Sequence, residues 1–132
     1  MQRGLDRMNA VLTVAGIVAA ALVLVGLWGL LDPHRMSNAY GLPADGSHAH
    51  GMTRAAAIRD LVIGGILGMA VYLHSVAFIA VLGVAGILLS SADFLIAFFA
   101  NHRRLHRSHA NHAAGIVAFV LVAAMALWAI AI

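Results

Sequence analysis

The sequence predicts an all-α protein, a four-transmembrane-helix up-and-down bundle that takes residues 1–132 as a single integral membrane domain. Two observations carry this expectation. The chain is 63% hydrophobic and only 10% charged, with a mean hydropathy of +0.96, whereas soluble domains run near 45–50% apolar and about 25% charged. Its apolar residues also gather into four runs, at about 9–31, 55–74, 76–99 and 111–132, each close to the roughly 20 residues that cross a bilayer core.

The first run follows Arg3 and Arg7 as a signal peptide would. It is longer than the usual apolar core of such a peptide, about 7–15 residues, and ends in LLDP without an A-x-A cleavage pattern, so it reads as a retained helix. The loop 32–53 comes next, DPHRMSNAYGLPADGSHAHGMT, with both prolines and the turn signal Ala44-Asp45-Gly46-Ser47. Tyr40 and Pro43 are expected to rest this loop on the headgroups, and Thr53 is a plausible N-cap for the second helix. Little beyond His74-Ser75 separates the second and third runs, which demands a tight antiparallel hairpin. The third and fourth are joined by the basic, histidine-rich segment NHRRLHRSHAN. Trp28 and Trp128 fall near span ends, as interfacial aromatics do.

Lysine, glutamate and cysteine are absent, so the eight cations are all arginine and the five anions all aspartate. Without cysteine there is no disulfide framework, thiol nucleophile or thiolate metal site. The pI near 10.7 raises the question of nucleic acid, but the arginines sit at the ends of apolar runs, where they face lipid headgroups and set topology. The expected partner is therefore the lipid bilayer, with no nucleic acid and no cofactor. Up-and-down order puts loops 32–53 and 100–110 at one membrane face. Arg35, Arg54, Arg103, Arg104 and Arg107 outnumber Arg3 and Arg7, which favours the cytoplasm for that face and the outside for both termini. The arginine-only, alanine-rich usage points to a bacterial inner membrane.

Two carboxylates lie within the apolar runs. Asp60 shares a helix face with Gly64 and Gly68, at i+4 and i+8, and small residues of this kind admit a second backbone. Gly83, Gly86, Ser90, Asp93 and Ala97 recur at spacings of three and four, a second small-residue stripe that leads to a carboxylate. His112, followed by Gly115, starts the fourth helix at the same face. Arg59 is about 100° round the helix from Asp60 and long enough to reach a neighbouring carboxylate or the headgroups. These residues define a ligand-binding constellation of Arg59, Asp60, Ser90, Asp93 and His112 between the second, third and fourth helices. A charge at that depth costs on the order of 2.5–3.5 kcal/mol on insertion scales, and such residues mark functional sites. The bland alternative is that Arg59 pairs with Asp60 or Asp93 only to neutralise charge and set helix register.

His102, His106 and His109, at i, i+4 and i+7, would share one face of a helix and are candidate metal ligands, with His48 and His50 as further donors from the same side. Arg103, Arg104 and Arg107 lie among them and would oppose a cation, so no metal is expected. His74 reads as a turn residue. The stripes Gly64/Gly68 and Gly83/Gly86 suit an intermolecular contact as well as an internal one, hence a homodimer is a further expectation.

Over almost the whole chain the sequence resembles the small four-helix membrane proteins of domain of unknown function 4267, which are distantly DoxX-like. The resemblance rests on LLDP, the loop motif YGLP, AIRDLVIGG, SSADFLIAF and NHAAG, with Arg59-Asp60 and Asp93 the most specific residues. It implies four helices and no established activity, and the segment HRRLHRSH departs from the shorter connection the family implies. Three functions fit the residues. The least demanding is binding of a lipid-like or apolar small molecule with one polar end. A membrane-embedded epoxide hydrolase or isomerase would use Asp60 and Asp93 as catalytic acid and base, with Arg59 holding a developing oxyanion. A proton-coupled transporter would protonate the carboxylates in turn. The small multidrug exporters are set aside, because this chain has no glutamate in its first span or elsewhere.

Overall fold

The computed structural model describes residues 2–40, 47–100 and 108–131, and all its regular elements are helices: α1 (Gln2–Leu31), α2 (Pro33–Tyr40), α3 (Ser47–Tyr72), α4 (Val76–Ala100) and α5 (Ser108–Ile130). Four of them, all but α2, are long and apolar enough to cross a membrane. Large apolar side chains such as Leu24, Val81, Leu88 and Val117 are mostly exposed on the protein surface, as lipid-facing residues are. The protein is an integral membrane helical bundle.

At 30 residues, α1 is about 45 Å long at 1.5 Å per residue, more than the roughly 30 Å of a hydrocarbon core. Its first turns, with Gln2 bonded to Asp6, therefore project beyond the apolar layer. There the Arg7 guanidinium lies 4.4 Å from the Trp128 ring centroid, a cation–π contact that ties the start of α1 to the end of α5.

The segment read from sequence as the loop 32–53 is largely helical. Asp32 accepts a hydrogen bond from the Arg35 amide through Oδ1 at 3.1 Å, and Pro33 follows at the first helical position, an N-cap and N1 pair that starts α2. Met36 and Ser37 of this short helix are fully buried beneath the bundle. Thr53 is not an N-cap: α3 begins six residues earlier at Ser47, and Thr53 is a buried residue of its second turn. The turn signal at 44–46 and Pro43 lie outside the described residues.

Between α3 and α4 the amides of His74 and Ser75 return to the carbonyls of Val71 and Ala70, each at 3.0 Å. This is a Schellman close, and it places His74 at φ 53°, in the left-handed region. His74 Nδ1 donates to the Tyr72 carbonyl at 3.0 Å, which steadies a side chain where glycine is commoner.

Packing divides the bundle into two pairs, α1 with α3 and α4 with α5, with looser contact between them. Small residues bring each pair together. A β-carbon at Gly64 would stand 2.9 Å from the Ala19 carbonyl oxygen, one at Gly83 would stand 2.8 Å from the Ala123 nitrogen, and one at Gly86 would strike the Phe119 ring. The stripes considered for a homodimer are thus occupied within the chain. The buried core, which includes Val11, Ala15, Leu67, Ile79, Val122 and Ala126, closes the bundle at the end that holds the α3–α4 turn and the chain termini. Toward the α2 end the pairs leave room between them.

Candidate functional site

That room is a cavity of about 530 Å³, within the size range of small-molecule sites, roughly 300–1,000 Å³. Its wall is mostly aliphatic, with Ile17, Leu22 and Val25 from α1, Leu89 from α4 and Ala118 from α5. One end is polar. Arg59, Asp60, Ser90, Asp93 and His112, singled out from the sequence, all line it, and Tyr40 and Asn111 join them.

Arg59 organises this end. Its Nη1 donates to Asp93 Oδ1 at 2.8 Å while Nη2 lies 2.7 Å from Asp93 Oδ2, a two-point contact that crosses from α3 to α4. The same guanidinium reaches back to Asp60 Oδ1, from Nη2 at 3.1 Å and Nε at 3.4 Å. The expected choice between Asp60 and Asp93 as partner does not arise, since Arg59 holds both. Asp60 is 7% exposed, and its Oδ2 accepts from the Tyr40 hydroxyl at 2.8 Å.

Tyr40 therefore does not rest on the headgroups. The helical turn of α2 directs it inward, its ring stacks on His112 with centroids 5.6 Å apart, and His112 Nε2 donates to the Tyr40 carbonyl at 3.4 Å. Asn111 Nδ2 donates to the Ala39 carbonyl at 2.9 Å. These bonds fasten the end of α2 to α3 and α5, so that α2 caps the cavity. Burial, together with the neighbouring Asp60 carboxylate, pushes the Tyr40 phenol well above its ordinary range. Because the folded state holds that proton more tightly, the stabilisation is complete below the unfolded phenol pKa of about 10 and fades as pH rises beyond it. Tyr40→Phe is expected to lower stability by about 2 kcal/mol at pH 8, the worth of a hydrogen bond to a charged group. Detergent-solubilised unfolding at pH 8 and pH 11 checks this: the gap between wild type and variant should narrow at the higher pH, and a constant gap would contradict the assignment.

A second cavity, about 190 Å³, shares Tyr40, Arg59, Asp93 and His112 with the first and is completed by Met52, Ala56, Ile96 and Ala97. The cluster thus stands between two spaces. Ser90 lies across from Gly115, where a β-carbon would approach its hydroxyl to 3.2 Å, so the absence of a side chain there keeps Ser90 at the cavity wall.

Of the candidate metal ligands, His102 and His106 lie outside the described residues. His109 is buried edge-on against the rings of Phe94 and Phe98, at centroid distances of 5.3 and 6.0 Å, and His50 lies beside His34. Among the described residues no three His, Cys, Asp or Glu side chains come together as a metal site. Two features were missed from sequence. Tyr40 and Asn111 carry no spacing signal toward Asp60, but Asp32-Pro33 was a legible helix start, and extending a helix from it would have turned Tyr40 away from the loop surface. The α1 wall was missed because its run is uniformly apolar and marks no inward face.

No curated protein and no solved structure matches the chain. The family model described as Domain of unknown function (DUF4267) matches residues 19–129, a range that takes in the whole polar cluster and most of the cavity wall. The chain therefore belongs to the DUF4267 family.

Proposed function

We propose that this membrane protein binds a lipid-like small molecule with an apolar body and one polar end. The observation that carries the reading is the aliphatic cavity with its hydrogen-bonding groups confined to one end. Such a division fits an amphiphile held lengthwise, its body against α1, α4 and α5 and its polar end at Arg59, Asp60, Asp93 and Tyr40. A purely structural ion cluster needs neither a cavity beside it nor a helix such as α2 to cover it.

Native mass spectrometry of the detergent-purified protein tests the proposal. Wild type is expected to carry a small molecule that is lost from Asp60→Asn/Asp93→Asn. A second variant, Ala118→Phe, fills the wall while it leaves the cluster intact, and is expected to lose the same mass. Wild type that arrives without bound mass, and takes up none of a set of added amphiphiles, would refute the binding reading.

A further inference from the structure

The polar end of the cavity holds one cation against two anions. Each of the four carboxylate oxygens of Asp60 and Asp93 meets a donor, from Arg59 or from Tyr40, at 3.1 Å or less. Asp93 takes the guanidinium at both oxygens, while Asp60 accepts from the guanidinium on one oxygen and from the phenol on the other, the acceptor geometry of ionised carboxylates. Arg59 is then shared between them, and a net charge of one electron is left over. Among the described residues no other basic side chain forms an ion pair with either aspartate. His112 turns its Nε2 to a backbone carbonyl instead, and Arg35 pairs with Asp32 at the exposed start of α2.

An anionic surplus beside an aliphatic wall is stabilised by a positive charge and opposed by a negative one, and low local polarity strengthens both effects. The Tyr40 ring lines the same end and adds an aromatic group of the kind that receives ammonium groups. We infer that the polar end of the bound molecule is a cation, an ammonium carried on an aliphatic body. This rests on the binding function proposed above and specifies the class of ligand. Carboxylate and phosphate amphiphiles are excluded by the same charge balance, although an arginine alone would have suggested them.

The test uses the full chain in uncharged maltoside micelles at pH 8, with dodecylamine, dodecanol and dodecanoic acid offered together at equal concentration and read by native mass spectrometry. The amine is expected to be retained at least tenfold over either of the others, equivalent to about 1.4 kcal/mol. Asp93→Asn, which leaves the cluster neutral, should bring that preference close to unity, and a preference that persists in this variant overturns the charge argument. Ala118→Phe should lose the amine, and an amine that stays on this variant sits outside the cavity and overturns the inference. Wild type that retains the alcohol or the acid as well as the amine overturns the cation and leaves the binding function standing. Wild type that retains none of the three overturns both.

Discussion

Arg59→Met is expected to destabilise the protein by about 3 kcal/mol, the low end of what breaking a buried ion pair costs, because the Arg59 side chain is 34% exposed. The loss comes less from missing attraction than from what stays behind. Asp60 and Asp93 would face one shared space with no cation between them, Asp60 keeping only the Tyr40 hydroxyl. The triple variant Arg59→Met/Asp60→Asn/Asp93→Asn removes all three charges together and is expected to recover most of the loss, since replacing a whole buried ion cluster is often neutral or better. Unfolding in mixed micelles with rising denaturing detergent, followed by helical signal, measures both variants. A single variant within about 1 kcal/mol of wild type would show that water already screens the cluster as it does surface pairs. If the triple variant is stable yet empty of ligand, the charges serve binding rather than folding.

The second large effect concerns two adjacent glycines whose substitution should have opposite signs. A β-carbon at Gly64 would stand 2.9 Å from the Ala19 carbonyl oxygen and 3.0 Å from side-chain atoms of Leu22 and Val23. The backbone of α1 cannot move aside without parting the α1–α3 pair, so Gly64→Ala is expected to cost about 2–3 kcal/mol, toward the upper end for overpacking. At Gly65 nothing lies within 4 Å. Gly65→Ala should therefore stabilise the helix by about 0.5–1 kcal/mol through the usual advantage of alanine over glycine. The same micelle assay reads both. Equal effects at the two positions would mean that α1 and α3 do not approach along this face. Loosening that pair also moves Ile17, Leu22 and Val25, so Gly64→Ala should weaken retention of a cavity ligand as well.

Particular residues show how far the sequence reached. Apolar runs and scarce charge were sufficient for four spans, because crossing a bilayer is a demand on length and composition that each helix meets by itself. Asp60 and Asp93 were legible as inward-facing for a similar reason, since the i+3 and i+4 recurrence of glycine and serine beside them marks the faces where helices approach. Membership of the DUF4267 family was also within reach, through AIRDLVIGG and SSADFLIAF.

Other features depend on where helices stand relative to one another, and no local pattern encodes that. Arg59 bridging both carboxylates requires the distance between α3 and α4, and the Tyr40–Asp60 bond joins residues 20 apart across a segment with no periodicity. The cavity exists because the α1–α3 and α4–α5 pairs are each drawn tight by glycine while the gap between them is not. The sequence by itself determined a four-span membrane protein with ionisable groups turned inward. Only the tertiary structure decided that these groups close one end of a cavity under α2 with one arginine between two aspartates, because the make-up of a site is a property of which side chains meet.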